Sequence, residues 1–527
     1  MERCWNNSAL LALFRKLGDY GRISVSSQIW SRFCSAPDHT RNSFYGALMD
    51  GIRWILLIIG GWILESKFYR ALSWLRDLYF RVTGGSLIFS LLHRLRLGQW
   101  LLLAFVFYLP IEYVIRDRLG YSMVASVWEE AFMMLAVAFV LWRRALRQSK
   151  AIARETPLDG YILLFIAVGL LLMSAVNPYP AVAWAGYRAV VQYMIWFFLV
   201  IRLIEDDRDF SVAYTGFVIL GALLCLHGVY QFIVAVPIPA SWVSQTEMGV
   251  RTRVFSLTGS PNIFGSLIVM LAPMTAALMY YLKSKWQKFL LFAVTGMMVL
   301  ALLFTFSRGA WIGMVVAVII FSLYVDRRLL GLMGVAVASV LVFIPSITSR
   351  LTYLFTSDYA EASAIGGRAL RWEIGRMLVT ENNPWLGFGL GRFGGAVAMN
   401  NKLLDETLEF RYFYMDNYYL KTMVEMGYIG IFFYLLLIVA LLVFGIRAIH
   451  RSSNRVAVAD ASVIKKDPLM RAIGDPKLLT VGIFAGLCGV LAHCYFENIF
   501  EEPYMMAYFW GLAAMVIYRG YFSPSRA

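Results

Sequence analysis

Arg253, Arg308, Arg368 and Arg371, together with Asp416, are the residues of this chain whose types and settings could do chemistry. Arg253 precedes Phe255-Ser256-Leu257-Thr258-Gly259-Ser260-Pro261-Asn262, and Arg308 lies in Ser307-Arg308-Gly309-Ala310-Trp311. Arg368 and Arg371 lie in Gly366-Gly367-Arg368-Ala369-Leu370-Arg371-Trp372. The first two sit where long apolar runs begin or end, and the other two in the longest polar break after residue 100. A guanidinium close to hydrocarbon is costly unless it meets a counter-anion or a water-filled cavity. Its planar fork suits phosphate oxygens. Arg253, Arg308 and Arg368 converging on one pocket would make a pyrophosphate clamp, with Arg371 and Arg251 as further contributors. Each arginine alone could instead snorkel to lipid headgroups or cap a helix end, and the residues by themselves leave both readings open.

A transfer reaction also needs a proton acceptor. Asp416 opens Asp416-Asn417-Tyr418-Tyr419-Leu420, at the re-entry into an apolar run. It is a candidate base, or else a helix N-cap. His493 and Glu497 are spaced to share one helix face. Glu425, the pair His227 and Gln231, and Glu129 with Glu130 also fall in apolar runs. A buried His or Glu hydrogen-bonded between helices is the commoner use of such residues. The 5 histidines are scattered without ligand spacing, and Cys4, Cys34, Cys225, Cys488 and Cys494 form no CxxC. Neither a metal site, a cofactor nor a disulfide framework is expected.

The elements that must carry these residues are membrane helices. The chain has 527 residues, of which 60% are hydrophobic and 15% charged, with a mean hydropathy of +0.65. That composition predicts an all-α, polytopic transmembrane bundle. About twelve apolar runs approach the length of a span: 99–116, 123–142, 160–177, 183–204, 210–236, 262–282, 287–305, 309–325, 329–346, 417–446, 478–497 and 504–521. Together they make a transmembrane domain over 99–521, with a long loop, 347–416, between spans nine and ten and a short tail at 522–527. Residues 1–98 read as a basic amphipathic region on the membrane surface, with an extra span near 46–66 as the alternative.

The formal net charge of +15 does not point to nucleic acid, because the basic residues crowd into short loops. Arg143, Arg144, Arg147, Lys150 and Arg154 form one group, Lys283, Lys285 and Lys288 another, and Arg327 with Arg328 a third. Arg447, Arg451, Arg455, Lys465, Lys466, Arg471 and Lys477 form the last. Alternating spans put all of them on one side, which the positive-inside rule makes cytoplasmic. Both termini are then cytoplasmic, and the long loop faces outward from the cell membrane. Within that loop Gly387-x-Gly389-x-Gly391 lacks the strand and spacing of a dinucleotide fingerprint. It is expected to form turns that bring the loop down onto the helices, while Gly427 and Gly430 allow close helix packing.

At these residues the chain resembles the O-antigen ligase and polymerase superfamily of bacterial membrane glycosyltransferases. The family's Arg followed by Pro-Asn looks like Arg253 with Pro261-Asn262, and its Ser-Arg-Gly-Ala looks like Ser307 to Ala310. Its loop pattern is similar to Arg368, Trp372, Pro384 and Gly387 to Gly391, with Trp385 interposed. The resemblance covers about residues 99–521. It implies a substrate glycan carried on polyprenyl pyrophosphate, transfer to an acceptor glycan or lipid without metal, and pyrophosphate binding by Arg253, Arg308 and Arg368. Ligases of the family carry His-Asn, nine residues, then Gly-x-x-Gly. Here the same spacing reads Asp416-Asn417, nine residues, Gly427-Tyr428-Ile429-Gly430. This departure favours a polymerase or another glycan transferase over a lipid-A-core ligase. The expected function is therefore polymerisation or transfer of a lipid-linked polysaccharide at the outer face of the cytoplasmic membrane. A ligase onto lipid or protein is the first alternative. A transporter or flippase of lipid-linked sugars, with a cavity open alternately to both sides, is the other.

Overall fold

A computed structural model describes residues 95–118, 120, 122–145, 151, 154–239, 252–343, 348, 352, 356–357, 367–401, 414–454 and 475–523, with Gly51, Trp54 and Ile58 ahead of them. Almost all of the expected surface region 1–98, its alternative span near 46–66, and Arg251 lie outside the described residues. Among the described residues there are helices and turns and no strand. In chain order the helices are α1 Leu97–Val106, α2 Tyr108–Tyr113, α3 Ser122–Ala145, α4 Asp159–Ala175, α5 Pro180–Val191, α6 Ile195–Leu203, α7 Asp207–Ile233, α8 Pro261–Tyr281 and α9 Lys285–Phe304. They continue with α10 Arg308–Tyr324, α11 Arg328–Phe343, α12 Arg368–Glu381, α13 Ala396–Asn400, α14 Tyr418–Asn454, α15 Lys477–His493 and α16 Pro503–Tyr521.

Five stretches among the described residues are long and apolar enough to cross a membrane. They are Pro180–Leu203, Asp207–Ile233, Pro261–Tyr281, Lys285–Phe304 and Tyr418–Ser452. Helices α4, α10, α11 and α15 are apolar but shorter. The run expected as one span over 99–116 is two helices, α1 and a second piece that runs on through a π turn, bent by 70°. Much of α9 turns its side chains outward, with Trp286, Phe289, Leu290 and Phe292 exposed, as suits a helix whose surroundings are hydrocarbon.

The chain divides into two compact units, one drawn from Thr156–Phe198 and Tyr214–Ala527, the other from Asp19–Glu155 and Leu199–Ala213, as far as their residues are described. In the latter, Arg143 and Arg154 of one expected basic loop, and Arg96 of the N-terminal region, are engaged at one corner. Arg96 donates to Asp206 at 2.9 Å and Asp209 at 2.7 Å, Arg143 pairs with Glu205, and Arg154 donates to the carbonyls of Ile201 and Glu205. Glu129 is taken by Arg116 at 2.8 Å.

In the larger unit, α15 packs along α8 and α10 through a face of small residues. A Cβ on Gly486 would come within 2.3 Å of the Met270 carbonyl oxygen, and one on Gly489 within 2.6 Å of the Gly313 carbonyl oxygen. Without hydrophobic drive between helices in lipid, such backbone-to-backbone approach maximises packing. It also brings the start of α8, the start of α10 and the end of α15 to one place.

The other organising feature is a break in α14. Gly427 has φ 64° and ψ −170° inside the helix, a conformation that costs an L side chain dearly. The break frees helical backbone groups, and the segment 384–389 takes them up. Phe388 N–H donates to the Val424 carbonyl at 2.7 Å and Gly389 N–H to Glu425 at 3.1 Å, while Tyr428 and Ile429 donate to Pro384 at 2.8 Å and Trp385 at 3.2 Å. The glycine-rich turns do bring the loop onto the helices. Gly427, expected to serve helix packing, instead makes the gap into which the loop's backbone enters.

Candidate functional site

The described part of the 347–416 break is not a plain loop. Its helix α12 starts at Arg368 and packs Ile374, Leu378 and Val379 with Phe393, Met415 and Val424 in a common apolar cluster. The cluster fixes α12 beside the first turns of α14. A buried ionic group, unforeseen in the sequence, pins the other side. Lys421 Nζ lies 3.0 Å from Glu425 and 3.4 Å from Glu501. Glu425 accepts the Phe393 N–H at 3.2 Å, and Glu501 accepts the Ala396 N–H at 2.7 Å. Glu425 is thus a tie between loop and helix. The sequence signal was the Lys421, Glu425 spacing of one helical turn.

This scaffold sets Arg368 against Asp416. Arg368 Nε donates to Asp416 Oδ2 at 2.6 Å, and Trp372 Nε1, one turn along α12, donates to Asp416 Oδ1 at 3.1 Å. Arg371 Nη1 stands 3.9 Å from Oδ2. Arg368 Nη2 also reaches the Phe496 carbonyl oxygen at 3.0 Å. Asp416 does not cap α14. Its neighbour Asn417 does, accepting the Leu420 N–H at 3.0 Å, the usual N-cap geometry.

Arg253 is held at the opposite edge. Its Nε donates to the Thr305 carbonyl at 3.0 Å and its Nη2 to Asn262 Oδ1 at 3.2 Å. Asn262 Nδ2 donates in turn to Glu497 Oε2 at 2.5 Å. Thr305 lies in the turn ahead of Arg308, the first residue of α10. That turn is sharp enough to place Phe306 at φ 52°, a left-handed conformation that costs a bulky residue on the order of 1–3 kcal/mol. Arg308 therefore follows directly on the backbone that Arg253 grips.

His493 and Glu497 do not share a helix face, because α15 ends at His493 and the chain turns over 494–497. His493 is 1% exposed, its Nδ1 2.7 Å from Ser266 Oγ and its ring against Gly309, where a Cβ would come within 2.6 Å of Cδ2. His493 thus packs and hydrogen-bonds between α8, α10 and α15. Glu497 lies beyond the helix. Burial pushes its carboxyl up from the ordinary range, Arg368 opposes that shift and Asp416 adds to it. His227 and Gln231 hold a turn: His227 Nδ1 lies 3.1 Å from Ser256 Oγ, and Gln231 Oε1 accepts the N–H groups of Phe255 and Ser256.

Arg253, Asn262, Arg368, Trp372, Asp416 and Glu497 therefore belong to one polar network, with Arg371 at its edge. Helices α8, α10 and α12 begin here without a side-chain hydrogen bond from their N-cap residues, and their positive dipole ends add to the arginines in favouring an anion. The arrangement can hold negative charge and has two carboxylates beside it. Among the described residues no three His, Cys, Asp or Glu groups gather in a way that could hold a metal ion.

Comparison with known proteins bears out the resemblance to the O-antigen ligase and polymerase superfamily. Residues 293–435 match the family model described as O-antigen ligase. The match takes in Arg308, Arg368, Arg371, Asp416 and the break at Gly427, while Arg253 and Glu497 lie outside it. No curated protein matches the chain.

Proposed function

With an O-antigen ligase domain over residues 293–435 as the premise, we propose that the protein is a membrane glycosyltransferase that polymerises or transfers a polyprenyl-pyrophosphate-linked polysaccharide at the outer face of the cytoplasmic membrane. An acceptor sugar hydroxyl attacks the anomeric carbon of the donor, the bond to the pyrophosphate oxygen breaks, and the configuration inverts. Arg253, Arg308 and Arg368, with Arg371 nearby, stabilise the charge developing on the departing pyrophosphate, where fixed cations lower the barrier most. Asp416 receives the hydroxyl proton. The donor pyrophosphate competes with Asp416 for Arg368, so donor binding releases the carboxylate oxygen that takes the proton. A loose, oxocarbenium-like transition state needs little early proton removal.

The observation that carries this reading is the 2.6 Å contact between Arg368 and Asp416 inside a network that also includes Arg253. Titratable groups gathered where helix ends meet favour chemistry there over a transport path through the core, which weighs against a flippase. Polymerisation is preferred to ligation onto lipid or protein because Asp416 stands where ligases of the family carry histidine. The test is purified protein with a synthetic polyprenyl-pyrophosphate oligosaccharide, scored for longer chains and for released carrier. Release without elongation would exclude a polymerase, and no release would exclude the reaction. The outward placement of the 347–416 segment, with about twelve spans and cytoplasmic termini, is tested by labelling single cysteines at Ser363 and Ser525 with an impermeant reagent in intact cells. Only Ser363 should react.

A further inference from the structure

We infer that Glu497 is a positioning residue that, through Asn262, aims the Arg253 guanidinium at the donor pyrophosphate. The inference rests on the proposed clamp and extends it to a residue outside the matched domain.

An asparagine amide is ambiguous. Either end can face a partner, and the two ends have opposite hydrogen-bonding character. Asn262 stands between an arginine, which can only donate, and Glu497, which when ionised can only accept. Asn262 Nδ2 donates to Glu497 Oε2 at 2.5 Å, and this contact fixes the amide so that Oδ1 faces Arg253 Nη2, 3.2 Å away. Arg253 Nε is spent on the Thr305 carbonyl. The fork is thus held from two directions, and a long side chain that would otherwise sample many rotamers is ordered before the donor arrives. Ordering in advance lowers the cost of binding. Glu497 also stands within electrostatic reach of Arg368, whose Nη2 binds the adjoining Phe496 carbonyl. One short turn, Phe496-Glu497, therefore orders arginines from two distant parts of the chain. Pro261 at the first position of α8 and the packing of α8 on α15 hold Asn262 at the required height.

The test uses full-length protein in nanodiscs. It measures the donor KM and kcat for carrier release, and separately the Kd of farnesyl pyrophosphate. Glu497→Leu should raise donor KM and farnesyl-pyrophosphate Kd about tenfold, since the amide is no longer fixed. Glu497→Gln still offers a carbonyl oxygen to Asn262 and should stay within about twofold of wild type. Asn262→Asp faces carboxylate with carboxylate and should weaken binding. Adding Glu497→Gln to Asn262→Asp should restore it, because the glutamine amide now donates where the asparagine did. This last pair conserves volume and keeps the question open to measurement even if the leucine variant folds poorly. Equal damage from Glu497→Gln and Glu497→Leu, or failure of the double variant to recover, would overturn the relay. Wild-type protein that binds farnesyl pyrophosphate but transfers nothing would sink the proposed reaction alone. Wild-type protein that binds no diphosphate would remove both.

Discussion

The Arg368 guanidinium donates to the Asp416 carboxylate at 2.6 Å across a separation of 48 positions in the chain. The contact joins the first residue of α12 to the residue preceding the N-cap of α14, and Trp372 occupies the carboxylate's other oxygen. An arginine proposed to bind a leaving group and a carboxylate proposed to take a proton are thus partners before substrate arrives.

Replacing Asp416 with Asn removes the proton acceptor while keeping an oxygen for Arg368 or Trp372. Initial rates of carrier release should fall on the order of a hundredfold, the usual scale of general-base catalysis. Protein level and thermal midpoint should stay close to wild type. Near-normal turnover in Asp416→Asn would remove the residue from the proton-transfer role.

Asn417→Ala should do the reverse. Its side chain caps α14, and loss of an N-cap costs about 1 kcal/mol. The thermal midpoint should drop while the rate per folded molecule stays within about twofold of wild type. A large loss of rate at unchanged stability would show that Asn417 takes part in the reaction.

Arg308→Lys keeps one charge and loses the fork that meets two phosphate oxygens together. Donor KM should rise by about tenfold or more, as expected when a bidentate, charge-assisted contact is reduced to a point charge. The Arg368→Lys variant should behave similarly. Unchanged donor KM in Arg308→Lys would mean that Arg308 faces lipid headgroups instead.

Gly427→Ala should undock the 384–389 segment. The new Cβ would lie 2.3 Å from the Trp385 carbonyl oxygen, and the residue holds φ +64°. The atoms it would meet, Trp385 O and C and Gly387 N, all belong to backbone, so the loss should reach a few kcal/mol. Faster cleavage between Asn382 and Asn401 in limited proteolysis would record it. Unchanged protease resistance would show that the break tolerates a side chain.

Composition and hydropathy were enough to read an all-helical membrane protein, because hydrocarbon admits few other ways to satisfy a backbone. Arg253, Arg308, Arg368 and Asp416 could be singled out because charge at the edge of an apolar run is conspicuous, and the turns at Gly387, Gly389 and Gly391 were legible because such backbone needs glycine. The one-residue difference between Asp416 and Asn417 was not legible. Either can cap a helix, and only the position of Arg368 and Trp372 assigns the carboxylate elsewhere. Gly427 likewise read as a packing glycine, since a break within an apolar run of normal length leaves no mark in hydropathy. His493 and Glu497 seemed to share a face because periodicity carries no record of where a helix stops. The link from Glu497 through Asn262 to Arg253 spans 235 positions in its first contact alone. Residue types along the chain determine which groups can hold an anion. Which of them meet is decided by the packing of α15 against α8 and α10 and by the docking of the 384–389 segment into α14, which local patterns do not encode.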